Sequence, residues 1–410
     1  MRILVVCQHF WPENFRINEI CYDFVDNGHS VDVLCGMPNY PKGKYYKGYN
    51  YFGPRREQHR GIEIFRVGEI PQNKRLGALG IILNYYFFPF ASIFSLPRLL
   101  KRQYDVVFLY SVSPVFMSWP GIVFAKLKKL PTVMCVMDYW PDSLFSIIKT
   151  RNRLFRAHYR WVSRWHYKRV DLLITPSKGM IQKFKEDFTI DPARITFIPQ
   201  SCDAIYEEKL YSPELHRKYD GRFNFVFAGN IGPAQALEVL VDAVEIVAAK
   251  QPGLKFRYII IGDGMSKEDI VRRVSEKGLT AYFDFIGFQP VAEIVKYQEL
   301  ADVLYVSLSD SPLFQIMIPT KVQSYMASGK PILAALGGEG ADVINESKAG
   351  MTCRLTSLQD LTDTIESFIG LSVETRAEMG RNAETFYKNN YRNDIISSQL
   401  IRTITNVKRK

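Results

Sequence analysis

The segment Ser307 to Ala335, SLSDSPLFQIMIPTKVQSYMASGKPILAA, concentrates the chemistry of this chain. Its polar loop runs to Pro319 and Thr320, which read as a helix start with Thr320 as the cap; Gly329 ends the helix and Pro331 opens a strand. Lys321 then stands in the first turn. A lysine is unfavourable beside the positive end of a helix dipole unless an anion lies between them. Pro319, Thr320, Lys321 and the first-turn amides therefore predict a phosphate site, with a solvated surface lysine as the competing reading.

Three more loops could complete such a site. FNFVFAGNIGPAQ (Phe223 to Gln235) carries a strand into Gly229, Asn230, Ile231 and Gly232, small residues that let backbone N–H groups approach a diphosphate. An ordinary glycine turn would look the same. IIIGDGM puts Gly262 and Gly264 after a second strand, a pattern more often structural than ligand-binding. DFIGFQPVAEI sets Gly287 and Phe288 after a third, where the ring either supports a flat nucleobase or packs in the core.

In the first half, MDYWPDSL places Asp138 after an apolar strand, with Asp142 four residues on. A half-buried carboxylate there can orient a hydroxyl or act as a base, or either acid can cap a turn. Glu13, in HFWPEN after the first strand, reaches the same region. Six scattered cysteines form no CxxC and no Cys/His cluster, so neither a disulfide framework nor a metal site is expected. No Asp-x-Asp occurs either.

Arg151 to Arg169, RNRLFRAHYRWVSRWHYKR, holds seven basic residues and no acid. Wound as a helix, it gathers Arg153, Arg156, Arg160, Arg164 and Lys168 on an arc of about 120°, edged by Leu154, Trp161 and Trp165. Phe155, Tyr159 and Val162 face the other way. Such a face suits an anionic bilayer surface or simply solvent. The aromatic run Asn84 to Phe94 and the loop Tyr40 to Tyr51, with Lys42, Lys44 and Lys47 among tyrosines, belong to the same half. No RRM, KH or helix-turn-helix pattern accompanies the charge, so no nucleic-acid partner is expected. The uncharged stretch Leu76 to Leu96 contains two internal glycines, Asn84 and Pro89, which favour a buried or interfacial helix over a membrane span.

These residues need a scaffold that presents post-strand loops. Apolar, β-branched runs at Ile3–Cys7, Ser30–Leu34, Ile62–Arg66, Val106–Tyr110, Thr132–Met137 and Leu172–Thr175 predict one buried parallel sheet. Runs at Asn224–Ala228, Phe256–Ile261, Ala281–Ile286, Val303–Val306 and Pro331–Ala335 predict a second, with helices between, such as Phe15–Asn27 and Ala236–Lys250. The expected division is 1–200, 201–385 and a helical tail, 386–410. Length (410 residues), 47% hydrophobic content and a net charge of +11 exclude disorder and small disulfide scaffolds. The opening MRILVVCQHFWPEN reads as a strand and not as a secretory leader, and a reducing compartment is expected.

PTKVQSYMASGKPILAA, HFWPENFRINEI, GMPNYPKGKYYKGY, TPSKGM, IPQSCD and GGEGADVI together resemble the family 4 retaining glycosyltransferases, and especially a branch of O-antigen and capsule L-fucosamine (N-acetyl-L-fucosamine) transferases. The resemblance implies a GT-B fold, α/β, of two facing Rossmann-like doubly wound parallel sheets. It also implies metal-independent, retaining transfer from a UDP-sugar held by the C-terminal half, with no cofactor. The acceptor, a polyisoprenyl-diphosphate-linked saccharide, would sit on an N-terminal half lying peripherally on the inner face of the cytoplasmic membrane. Asp138 would stand in for a functional histidine of many relatives. The family's basic pair falls on Asn230 and Gln235, and its E-x7-E acids on Ile316 and Ser324. Lys321, loop amides and Gln235 as a neutral donor would then hold the diphosphate, and Glu339 would supply a ribose carboxylate. A GT-B-type UDP-sugar epimerase and a non-catalytic sugar-nucleotide binder are the alternatives.

Overall fold

A computed structural model describes residues 1–40, 43–71, 77–148 and 150–409; Lys42 and Leu76, used above, lie outside them. The chain forms two compact units, Met1–Ile198 with Ser397–Lys410, and Pro199–Ile396.

In the first unit eight strands, β1 (Arg2–Val6), β2 (Ser30–Gly36), β3 (Arg56–His59), β4 (Ile62–Val67), β5 (Val106–Ser111), β6 (Thr132–Val136), β7 (Leu172–Thr175) and β8 (Ile195–Phe197), lie in the order β3-β4-β2-β1-β5-β6-β7-β8. All pairings are parallel except β3 with β4. In the second, β9 (Phe223–Ala228), β10 (Phe256–Ile261), β11 (Phe283–Gly287), β12 (Val303–Ser307), β13 (Ile332–Ala335) and β14 (Gly350–Cys353) lie in the order β11-β10-β9-β12-β13-β14, all parallel.

Both faces of the second sheet are covered, which is why its strands are apolar throughout. Phe225, Phe227, Tyr258, Ile260, Val303 and Tyr305 pack one way, under Leu237–Lys250 and Leu358–Gly370. Their alternates Val226, Ala228, Ile259, Ile261, Leu304 and Val306 pack the other way against Val322 and Met326 of the helix Thr320–Ala327, and Ala383 and Tyr387 of Val373–Asn390.

Three strands go beyond the expected set. β3 reads REQH and has no apolar residue; its edge position is held by backbone pairing to β4 and by ion pairs such as Arg56–Glu63. β8 and β14 are short outer strands. The tail also differs: the helix Val373–Asn390 runs straight through the expected boundary at 385, and the next one, Asn393–Asn406, is shared between the units. The uncharged stretch forms the helix Gly77–Ser92 with Pro89 inside it. Among the described residues no helix is long and apolar enough to cross a membrane.

Candidate functional site

The second sheet reverses direction of growth between β9 and β12, and a doubly wound sheet receives ligands beyond the carboxyl ends of such a pair. Two hydrogen bonds join the loops there: Ser309 N–H to Ala234 O at 2.8 Å and Ser307 Oγ–H to Gln235 O at 2.5 Å. Lys321 reaches this point from its helix. Its Nζ lies 3.7 Å from the centroid of Phe227, on β9. The stem keeps some exposure, but Nζ is sequestered and has no hydrogen-bond partner among the described residues. Burial alone pulls its pKa down to about 7. An amine buried without a partner is costly, and an anion is the natural complement.

The glycines around Lys321 make its room. A Cβ at Gly229 (φ +143°) would run into Lys321 Cε and Nζ, and one at Gly262 (φ +133°) would strike Gly229 O. A Cβ at Gly264 would likewise meet Ile231 O. This packing corrects the expectation that the loop offers a row of free amides. Gly229 N–H donates to Ile261 O (2.9 Å), Ile231 N–H to Asp263 O (2.8 Å), and Gly232 N–H to Gln235 Oε1 (3.1 Å). Gln235 Oε1 also accepts from Asn230 Nδ2 (3.4 Å), so its oxygen holds the loop closed.

The helix start differs from expectation by one residue. Pro319 occupies the cap position, Thr320 is the first helical residue, and no side chain caps the helix. The amides of that first turn remain directed with the helix dipole beside Lys321. Glu339 lies in the first turn of Gly338–Ser347, after β13; a Cβ at Gly340 would come within 3.1 Å of Pro319 Cδ, so the two helix starts are neighbours. Gly287 (φ +83°) accepts from Gly262 N–H at 2.8 Å, and Phe288 beside it is 77% exposed, which excludes the core-packing reading.

In the first unit Asp138 follows β6 and accepts Ser113 N–H, 3.0 Å, from the loop after β5. Burial raises its pKa in spite of that bond. Asp142 is neutralised by Lys183 at 3.2 Å and Arg160 at 3.8 Å, a structural role. Glu13 is 2% exposed and fully engaged: Oε1 accepts Asn39 N–H (2.7 Å) and Tyr40 N–H (2.6 Å), and Oε2 meets His9 Nδ1 at 3.0 Å. Both oxygens of Glu13 are thus engaged within the protein, one of them with His9, a residue its sequence context does not single out. Its ring stacks on Phe15, centroids 4.8 Å apart, and lies 5.5 Å from that of Tyr40. Burial would lower its pKa, but Glu13's hydrogen bond and charge, with Glu69's charge, hold it above the ordinary histidine value. Glu69, after β4, is wholly buried; burial pushes its carboxyl up to about 7 while Gln8 and Asn84 donate to it.

The basic helix forms as Arg153–Lys168, capped by the Asn152 side chain. Tyr159, Val162, Ser163, His166 and Tyr167 face the core. Its arc is not uniformly free: Arg160 pairs with Asp142 and Asp187, and Arg156 lies 4.2 Å from the Phe145 ring. Arg153, Arg164 and Lys168 are exposed. Between this helix and Gly77–Ser92 runs a groove of about 310 Å³ walled by Tyr86, Phe90, Trp119, Trp161 and Trp165, with Phe90, Phe94, Leu154 and Trp161 outward. Among the described residues no group of three or more His, Cys, Asp or Glu is placed to hold a metal, and the six cysteines are buried and outside any disulfide.

Comparison with known proteins gives two adjoining matches. A glycosyl transferase 4-like domain model covers residues 14–200, and a glycosyl transferases group 1 model covers 212–386. The chain is 27% identical over 277 residues to a probable glycosyltransferase, WbjE, of Pseudomonas aeruginosa, spanning 64% of this chain and 66% of that one. It is 21% identical over 345 residues, 80% of this chain and 82% of the other, to the "putative colanic acid biosynthesis glycosyl transferase WcaI" of Escherichia coli K12. A crystal structure of Anabaena HepE in complex with UDP superposes with a TM-score of 0.71 at 16% identity, covering 99% and 100% of the two chains.

Proposed function

The chain belongs to the group 1 glycosyltransferases of GT-B fold, and from that premise we propose that it moves a deoxy-amino sugar, N-acetyl-L-fucosamine first among candidates, from UDP to a saccharide carried on polyisoprenyl diphosphate in O-antigen or capsule assembly. The observation that carries the donor half of this reading is Lys321, a sequestered and unpartnered amine at a helix start beside the β9–β12 reversal. A diphosphate seated there meets the amine, the helix dipole and the first-turn amides. As the anomeric C–O bond breaks, negative charge grows on the same oxygens, and those groups stabilise it without a cofactor. Phe288, exposed, would lie under the uracil, and Glu339 would reach the ribose.

Retention of configuration is part of the proposal, with the acceptor hydroxyl attacking from the leaving-group face and Asp138 orienting it. The groove between the two aromatic helices and the outward Phe94, Leu154 and Trp161 support contact with lipid, and Arg153, Arg164 and Lys168 support an anionic surface at the inner face of the cytoplasmic membrane. The description of WcaI as a colanic acid biosynthesis glycosyl transferase supports the polysaccharide setting.

Incubation with UDP-sugars in the presence and absence of lipid-linked acceptor tests the reading. Transfer needs both substrates. Conversion of the donor alone would make the protein an epimerase, and UDP binding without turnover would make it a binding module.

A further inference from the structure

We propose that the second unit carries an accessory binding site for a sugar phosphate at the amino-terminal edge of its sheet. The site is a cavity of about 380 Å³ whose lining belongs entirely to that unit. Asp302 and Pro331, which lead into β12 and β13, line it with Glu299 of the helix Val291–Leu300 and with Arg376 and Arg381 of Val373–Asn390. Small-molecule pockets measure about 300–1,000 Å³, so one compact ligand fits. The cavity is separate from the diphosphate position. Lys321 stands in the first turn of Thr320–Ala327, whereas Ser328, Gly329 and Lys330, which line the cavity, follow its last; eight helical residues span about 12 Å. A Cβ at Gly380 would strike Gly329 O, so the long helix packs directly on that loop and holds the wall in place.

Lys330 supplies the argument for an anion. Its ammonium donates to Glu299 O, while Glu299 Oε1 is 3.9 Å away, too far for a hydrogen bond. Burial, with the charge of Lys209, outweighs Glu299 and Asp302 and keeps its pKa below the ordinary lysine value. Arg381 is exposed, and its guanidinium has neither an ion pair nor a hydrogen bond among the described residues. Two of the acids that share the cavity are engaged elsewhere. Asp302 accepts Asn224 N–H at 2.9 Å and lies 3.6 Å from Arg376 Nη2, and Glu384 meets Lys388 at 2.9 Å and Lys209 at 3.7 Å. An ammonium and a free guanidinium lining one cavity suit the several oxygens of a phosphate.

Glu299 supplies the argument for hydroxyls. Its Oε2 is buried and has no hydrogen bond among the described residues, although His216 Nε2 stands 3.2 Å away; His216 Nδ1 is bonded to Ser212 O at 2.9 Å. A carboxylate oxygen without a donor suits an O–H. Val295, Pro331 and Val373 add apolar surface for the C–H faces of a ring. A bare phosphate would leave Glu299 unanswered, and an uncharged sugar would leave Lys330 and Arg381 so. A sugar phosphate answers all three.

Calorimetric titration with glucose 1-phosphate, glucose 6-phosphate, N-acetylglucosamine 1-phosphate and inorganic phosphate, in saturating UDP, tests this. At least one sugar phosphate should bind one to one, about tenfold or more tighter than inorganic phosphate. Lys321→Met, titrated without UDP, should bind it equally well. Arg381→Ala, at an exposed position, and Lys330→Met should each weaken it about ten- to a hundredfold, with UDP affinity within about twofold showing that the fold is kept. Glu299→Gln should weaken the sugar phosphate several-fold and leave inorganic phosphate within about twofold. No binding of any of the three sugar phosphates, equal affinity for inorganic phosphate, binding that survives both Lys330→Met and Arg381→Ala, or binding lost in Lys321→Met overturns the proposal while the transferase reading stands. A protein that binds no UDP would end the transferase reading and not this one, which the Lys321→Met titration still decides.

Discussion

Binding of UDP should draw a proton out of solution, and Lys321 sets how much. With a free-state pKa of about 7, the amine is about one-tenth protonated at pH 8. Pairing with phosphate oxygens returns it towards the ordinary lysine value of about 10.4, so about 0.9 proton should enter per UDP bound at pH 8, and about 0.5 at pH 7. The terminal phosphate of UDP, titrating near about pH 6, is fully ionised at pH 8 and adds nothing there. The same linkage weakens UDP binding by about fiftyfold between pH 7 and pH 9, since ever more of the free amine must first be protonated. Isothermal titration calorimetry at pH 8 in Tris and in phosphate gives the proton number from the difference in apparent enthalpy. Lys321→Met should abolish the uptake and flatten the pH dependence. Uptake below about 0.2, or the same uptake in Lys321→Met, would refute the assignment of Lys321 to the diphosphate.

Gly229→Ala places a Cβ against Lys321 Cε and should displace the amine without unfolding the sheet, weakening UDP binding about ten- to a hundredfold, the loss of one charge-assisted contact. Added to Lys321→Met it should cost nothing more; additive losses in a double-mutant cycle would disprove the shared mechanism. Glu69 is a buried carboxyl with a pKa raised to about 7, so the folded state holds a proton that the unfolded chain has released between about pH 4.5 and 7, and stability falls as pH rises through that window. Glu69→Gln should therefore stabilise by up to about 3 kcal/mol at pH 8 and by nothing at pH 4, read from urea unfolding; equal midpoints at pH 8 would contradict the burial argument. Replacing Arg153, Arg164 and Lys168 with Glu should release the protein from anionic liposomes at unchanged UDP affinity, whereas full retention in flotation would dismiss the basic face as a lipid contact.

The sheets were legible because strands buried on both faces are apolar along their whole length. β3, β8 and β14 escaped because an outer strand can rest on backbone pairing with few apolar residues, as REQH does. Lys321 was legible for a local reason, a cation at a helix start. The spent amides of Gly229, Ile231 and Gly232 were not, because their acceptors at Ile261 and Asp263 come from the next crossover and Gln235's turn-in depends on it. His9 and Glu13 are four residues apart, a spacing visible in HFWPE, yet nothing local reveals that Asn39 and Tyr40 occupy the second oxygen or that Glu69 lies close by. Exposure of Phe288 and neutralisation of Arg160 are likewise tertiary facts.

The chain leaves its first unit after Ile198 and comes back at Ser397, bringing Leu400 and Ile404 into buried positions. After a protease nick in the first linker, residues 1–198 would stay with the rest of the chain only through the packing of Ser397–Lys410 in their own unit. Recombinant fragments ending at Ile198 would lack native packing partners, and a stop codon before Ser397 would injure the amino-terminal half although it removes only carboxyl-terminal residues. Circular permutation joining residue 410 to residue 1, with new ends opened between Ile198 and Pro199, would convert that architecture into a linear succession of two domains.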